Sequence, residues 1–239
     1  MKKSLLLSVA LAVMLTGQAC AASSGQESPS SRAVTTLSLD SLEGLSLHRA
    51  EASIAEYKGS RALKVRMNRQ AEDEFRSGKP SIAWLPVDFT NGVIEVEMAG
   101  TVAPDAPPAA RGFIGAVFRI GDDMSCEGFY LRPTNGRADD QVRRNHSTQY
   151  FSPPEYDFDR LRRESPEKYE SYADLVPGEW TKVRIEVNGD RARLFVHGAE
   201  QPCLVVNDLK RGANAVGGVG LWVGPGTEGY FRNLSIEKR

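Results

Sequence analysis

The residue types best suited to chemistry gather between Gly128 and Tyr172, in the stretch GFYLRPTNGRADDQVRRNHSTQYFSPPEYDFDRLRRESPEKYESY. Five of the chain's seven tyrosines lie there, interleaved with arginines, carboxylates and one histidine. Long polar insertions on a rigid scaffold are where binding and catalysis concentrate. Tyr130, Tyr150, Phe151, Tyr156, Phe158, Tyr169 and Tyr172 can offer aromatic faces to the C–H side of a sugar ring. Arg132, Arg137, Arg143 and Arg144 can grip a carboxylate or sulfate bidentately, which suits an acidic polysaccharide. Asn135, Asn145 and Gln149 can read neutral hydroxyls. His146, with Arg144 before it and Tyr150 four residues on, has the makings of a proton-transfer pair for a lyase acting on uronic acids. A competing reading is internal. The same arginines can pair with Asp139, Asp140, Glu155, Asp157 and Asp159, leaving the aromatics as a small core of the insertion.

Other constellations are poorer. Glu95 and Glu97 share one strand face, but no Asp stands between them and no third carboxylate follows, so they read as a solvated face rather than a glycosidase pair. Asp122-Asp123 can join a calcium site or simply make a turn, and no spaced ligand set accompanies them. No Cys/His spacing suits zinc, no Gly-rich phosphate loop opens a helix, and no Gly-x-Ser-x-Gly elbow occurs. Catalytic residues therefore stay unassigned, and no cofactor beyond that weak calcium reading is expected.

The elements that must position these residues read as strands. Leu63, Val65 and Met67 alternate with Lys64 and Arg66, and Ile94, Val96 and Met98 with Glu95 and Glu97. Trp180–His197 reads as a hairpin, with Val183, Ile185 and Val187 on one arm, Ala192, Leu194 and Val196 on the other, and Asn188-Gly189 as a type I′ turn. Further strands are expected over 36–39, 46–48, 53–57, 81–86, 219–223 and 230–236, and a rigid loop over Ala103–Ala110. Phe113–Ile120 is apolar on both faces, which predicts cover on both sides, with the insertion folded over one of them. Ser165-Pro166 suits the N-cap and first residue of a short helix within 156–172. The fold class is all-β, a two-sheet jelly-roll sandwich with one long insertion over 128–178 that carries a short helix.

GEWTKVRIEVNGDRARLFVHG, followed by VGGVGLWVGPGTEGYFRNLSIEK, resembles the C-terminal half of concanavalin A-like lectin/glucanase jelly rolls, among them LamG-like and 3-keto-disaccharide hydrolase-like domains of secreted bacterial proteins. GVIEVEM resembles an early strand of the same superfamily. The resemblance spans most of 35–239 and implies a fold more than an activity, since lectins, glycosidases, lyases and interaction modules share it. With the carboxylate motif missing, it implies carbohydrate binding without catalysis, at a site made by Tyr130, Arg132, Asn135, Arg137, Arg143, Arg144, Asn145, His146, Tyr150 and Tyr156. A glycan-active hydrolase or lyase and an envelope protein-interaction module are the alternatives.

The N-terminus predicts the compartment. Lys2 and Lys3 precede an apolar run, Leu5 to Leu15, too short to span a bilayer, and Ala19-Cys20-Ala21 fits cleavage after Ala21. A lipid anchor on Cys20 is the rival, disfavoured by Gly17 where a Leu-like residue is wanted. Residues 1–21 thus read as a signal peptide, 22–34 as a Ser/Gln/Pro-rich linker and 35–239 as one domain, exported to the periplasm or beyond. Thirty Lys and Arg against thirty-one Asp and Glu give no bulk attraction to nucleic acid or anionic membrane. A monomer is expected. Cys126 and Cys203 can pair in an oxidising compartment or remain separate thiols.

Overall fold

Two antiparallel sheets face each other in a computed structural model that describes residues 34–74 and 78–239. The expected signal peptide, and the linker up to residue 33, lie outside the described residues. In chain order the strands are β1 (Val34–Leu37), β2 (Ser46–His48), β3 (Ala50–Tyr57), β4 (Ser60–Met67), β5 (Ile82–Phe89), β6 (Gly92–Val102), β7 (Ile114–Ile120), β8 (Glu127–Leu131), β9 (Thr148–Phe151) and β10 (Glu170–Ser171). They continue as β11 (Thr181–Asn188), β12 (Arg191–Val196), β13 (Leu204–Val206), β14 (Gly217–Val223) and β15 (Thr227–Lys238). Short helices are α1 (Arg69–Asp73), α2 (Gln141–Asn145) and α3 (Phe158–Glu164).

The eight-stranded sheet runs β13-β12-β11-β6-β15-β4-β3, with β1 also paired to β15. The seven-stranded sheet runs β10-β9-β8-β7-β14-β5-β2. The alternating residues set the registers. Ile94, Val96 and Met98 of β6 and Val183, Ile185 and Val187 of β11 point inward, where they meet Ala116, Phe118, Phe129, Val219 and Leu221 of the opposite sheet in one core. The hairpin expected over Trp180–His197 forms, with Asn188 registered against Arg191. Its turn residues are Gly189-Asp190, and only Gly189 has positive φ (+61°), the glycine-first pattern of type II′ rather than I′.

The insertion departs from expectation. It does not fold over a finished sheet; three of its segments are strands of that sheet. β8 pairs with β7, β9 with β8 and β10 with β9, so the insertion extends the seven-stranded sheet in its own plane. Its longest helix, α3, starts earlier than Ser165. Asp157 caps it by accepting from the Arg160 amide at 2.8 Å, and Ser165 stands at its end. The insertion's Asp140 caps α2 in the same way.

A fully buried ion pair of the scaffold, bonded by Tyr150 of the insertion, ties the two together. Arg119, at a register shift of β7, places Nη1 2.9 Å from Glu127 Oε1, and both side chains are wholly inaccessible. The guanidinium also donates to the carbonyls of Thr90, Gly189 and Gly212. Glu127 Oε2 accepts from the Tyr150 hydroxyl at 2.7 Å, and that hydroxyl accepts from the Lys210 amide at 2.9 Å. All three guanidinium nitrogens and both carboxylate oxygens of the pair are thus engaged, as burial of charge requires. Cys126 and Cys203 are separate thiols. Burial pushes the Cys203 thiol up to about 11 and Cys126 higher still, so neither is an activated thiol.

Candidate functional site

Strand parity makes the outer face of the seven-stranded sheet unusual. Val219, Leu221 and Val223 of β14 enter the main core, so Gly218, Gly220 and Trp222 face outward. Ala83 and Leu85 of β5 likewise turn Ile82 and Trp84 outward. Trp222 is registered with Gly115, Gly115 with Tyr130, and Tyr130 with Gln149. The result is a second apolar cluster on this face, in which Trp84, Phe113 and Trp222 are half-buried and Tyr130 and Phe151 buried. Ring centroids lie 4.9 Å apart for Tyr130–Trp222, 5.0 Å for Phe151–Trp222, 5.1 Å for Tyr130–Phe151 and 6.1 Å for Phe113–Tyr130. Glycines on the same face leave the backbone bare beside the indoles. A Cβ at Gly218 would lie 2.6 Å from the Trp84 ring.

Next to this ladder, toward the β10 edge, lies a cleft of about 280 Å³. Phe113 belongs to both. The other lining residues include Arg111, Arg132, Asn135, Arg143, His146, Phe158 and Arg162. Arg132, at the end of β8, is the structural centre. Its Nη1 lies 3.1 Å from Glu170 Oε1 and 2.9 Å from the His146 carbonyl, while Nη2 donates to the Tyr130 hydroxyl at 2.7 Å and Gln149 Oε1 at 3.1 Å. Arg162 of α3 also donates to Glu170, its Nε at 2.9 Å. Phe158 stacks against both guanidinium groups, 5.6 Å from Arg132 and 5.5 Å from Arg162. Burial pushes the Glu170 carboxyl up, but bonds and charges from Arg162, Arg132 and His146 outweigh it and hold it below the ordinary glutamate value.

His146 lies between this cleft and a second hollow lined by Asn145, Glu167, Glu170, Ser171 and Tyr172. Its Nε2 is 3.6 Å from Glu170 Oε2. Burial, helped by Arg162 and Arg132 and opposed by Glu170, lowers its pKa and so favours the neutral imidazole.

The expected site residues divide on this geometry. Tyr130, Arg132, Asn135, Arg143 and His146 meet at the cleft. Asn145 lines the adjoining hollow, where Arg144 stacks on Tyr172 at 5.3 Å. Three others are elsewhere. Arg137 binds Asp174 at 2.7 and 2.9 Å, an exposed pair away from the cleft. Tyr150 is fully buried, because the Gln149/Phe151 parity of β9 turns it into the main core beside Phe129. Tyr156 packs on that same core, with Arg160 over its ring at 4.2 Å. The His146/Tyr150 proton-transfer pair is therefore not formed: the Tyr150 hydroxyl is committed to Glu127. The internal ion-pair reading fails as drawn: Arg132 pairs with Glu170 and Arg137 with Asp174, Arg143 and Arg144 donate to Asn135 and Tyr172, and the ion pair that Asp159 makes is with Arg163 inside α3.

Sequence reasoning missed Trp84, Trp222, Arg111, Arg162 and Glu170. The signal for the two tryptophans is a large aromatic on the strand parity opposite the core residues. Elsewhere, Glu95 and Glu97 lie on the eight-stranded sheet's outer face, Glu97 bound by Arg232 and Asn233 and Glu95 3.6 Å from Lys182. Asp123 turns its carboxylate onto Ser125, at 3.0 Å from the amide, as a turn residue. Among the described residues, no group of three or more His, Cys, Asp or Glu is placed to hold a metal ion, and no helix is long and apolar enough to cross a membrane.

No family model matches the chain, and no curated protein does. Solved structures do. A Bacillus subtilis protein of unknown function with a galectin-like fold aligns at 10% identity over 86% of this chain and 96% of its own, with a TM-score of 0.53. The carbohydrate-binding module CBM66 from Bacillus subtilis aligns at 11% identity over 80% and 96%, with a TM-score of 0.48. Domain 4 of an extracellular arabinanase from Geobacillus stearothermophilus, solved with arabinotriose, aligns at 16% identity over 87% and 82%, with a TM-score of 0.41. The first of these likenesses, together with the two antiparallel sheets, shows that the chain has a galectin-like jelly-roll sandwich fold.

Proposed function

We propose that the chain is an exported carbohydrate-binding domain whose ligand lies on the outer face of the seven-stranded sheet, across Trp84, Trp222 and Phe113 and into the arginine-lined cleft. The observation that carries this reading is the set of half-buried aromatic rings around Tyr130, beside convergent polar groups. An aromatic face beside hydrogen-bond donors suits a pyranose, which presents C–H groups on one side and hydroxyls at its rim. Arg132 is held by Glu170, Gln149 and the His146 carbonyl, so the floor of the cleft is preorganised. The fold is one that lectins, enzymes and interaction modules share, so the reading rests on this face and not on the fold.

Binding is favoured over turnover for two reasons. The cleft's buried carboxylate, Glu170, is gripped by Arg132 and Arg162 and kept ionised, which makes it a poor general acid. His146 has no tyrosine hydroxyl bonded to it among the described residues. The test is a broad glycan array probed with purified protein spanning 22–239, in calcium and in chelator. Selective binding that persists in chelator is expected. A blank from folded protein would turn the reading toward a protein partner at the same face.

A further inference from the structure

The cleft has more positive charge than its own carboxylate can neutralise. Arg111, Arg132, Arg143 and Arg162 line it, and Glu170, behind that lining, is bound by Arg132 and Arg162, with His146 Nε2 at 3.6 Å. Arg111 and Arg143 have no carboxylate partner among the described residues. Arg111 Nη1 donates to the carbonyls of Pro108 and Ala110, at 2.8 and 2.7 Å, which fixes the guanidinium without neutralising it. Arg143 reaches only Asn135 Oδ1, at 3.4 Å. Elsewhere some arginines meet carboxylates, Arg66 with Asp105, Arg137 with Asp174 and Arg232 with Glu97, while Arg61 and Arg211 donate to a carbonyl and a hydroxyl instead, each apart from the arginines of the cleft. Since the whole chain balances 30 basic against 31 acidic residues, this excess is local.

Holding like charges together without a counter-ion opposes folding, so such a cluster is most simply explained by an anion that it receives. Burial, and after it the charges of Arg143 and Arg132, lowers the Arg111 pKa, the response of a cation crowded by others. Phe113 lines the cleft and also touches the aromatic ladder, at 6.1 Å from Tyr130. A ring stacked on the ladder would therefore carry its acidic substituent into the arginines.

We infer that the cleft takes a carboxylate or sulfate group of an acidic saccharide, with Arg111 and Arg143 as its donors. This rests on the carbohydrate reading above and narrows it to uronate- or sulfate-bearing glycans. Guanidinium suits either anion through paired N–H donors.

Calorimetric titration against matched pairs tests it: an oligogalacturonide and its methyl ester, and a sulfated galactan oligosaccharide and its neutral desulfated form. The charged member of one pair is expected to bind at least tenfold tighter than its neutral counterpart, about 1.4 kcal/mol. The pair that responds tells carboxylate from sulfate. Arg143 is exposed, so Arg143→Gln should fold normally and erase most of that preference, the charged member losing far more affinity than its neutral counterpart; Arg143→Lys should restore part of it. Equal affinity for charged and neutral members overturns the inference and leaves the carbohydrate reading standing. An array and titrations blank for every glycan, from folded protein, overturn both.

Discussion

Trp222 and Tyr130 stand 4.9 Å apart on the outer face of the seven-stranded sheet because the residue registered between them, Gly115, has no side chain. A Cβ there would lie 2.3 Å from the Phe129 carbonyl oxygen and 2.7 Å from the Tyr130 Cβ. Gly115→Ala should therefore push β7 and β8 apart, at a cost of about 1–3 kcal/mol by analogy with overpacked cores. Urea denaturation reads the loss of stability, and glycan affinity should fall with it as the ladder opens. An unchanged denaturation midpoint would mean that the two strands are not held so closely.

Tyr150 separates stability from binding. Tyr150→Phe removes the hydroxyl that links Glu127 to the Lys210 amide and leaves the ring in place. We expect a loss of about 1–3 kcal/mol, the cost of a buried polar group left unsatisfied, with glycan affinity unchanged below the melting transition. Weaker binding at unchanged stability would return Tyr150 to the ligand surface.

The buried Arg119–Glu127 pair should be the most sensitive point of the scaffold. Arg119→Met leaves Glu127 inaccessible and without its cation, and removes the donor that pins the carbonyls of Thr90, Gly189 and Gly212. About 3–5 kcal/mol of stability should be lost. Exchanging both partners for apolar residues should recover part of it, which a double-mutant cycle measures.

Acid should weaken the fold in two stages. His48 and His146 both have pKa values lowered from 6.5, in each case first by burial. The unfolded chain then takes up their protons before the folded one does. Their effect on stability is nil well above the ordinary histidine value and unfavourable as pH falls through it. Asp208 acts lower down. Burial pushes its carboxyl up, but hydrogen bonds from Tyr169, Lys168 and Lys210 draw it to about 2. Its contribution is present above the ordinary aspartate value and lost as pH falls from there through about 2. The melting temperature should drop between pH 7.5 and 5.5, and less so in His48→Gln/His146→Gln. An equal drop in that variant would place the titration elsewhere.

The scaffold was legible wherever one face of a strand is apolar and the other charged. Val183, Ile185 and Val187 against Lys182, Arg184 and Glu186 determine both strand and register, since a one-residue slip would bury the charges. The site was harder to see. The insertion reads as polar loop because β9 and β10 have few residues and Gln149 and Glu170 are buried polar ones. Without a strand there, no parity separates inward Tyr150 from outward Gln149 and Phe151. Arg132 and Glu170 meet only because β8, β9 and β10 are neighbours in the sheet. Trp84 and Trp222 were visible as residues, but their place on one face needs β5 and β14 to be paired, which no local pattern states.

A ligand on the Trp222 face must depend on that indole and not on the tryptophan of the opposite sheet. Trp180 offers a matched control on the outer side of the other sheet, where it packs edge-on to Tyr57 at 5.7 Å with Arg232 over its ring at 4.3 Å. The most direct measurement is the affinity of wild type, Trp222→Ala and Trp180→Ala for the strongest glycan from the array. Trp222→Ala should bind about tenfold more weakly or worse, as loss of an aromatic anchor does, while Trp180→Ala keeps wild-type affinity. The reverse pattern, or equal affinity in all three folded proteins, would contradict the account.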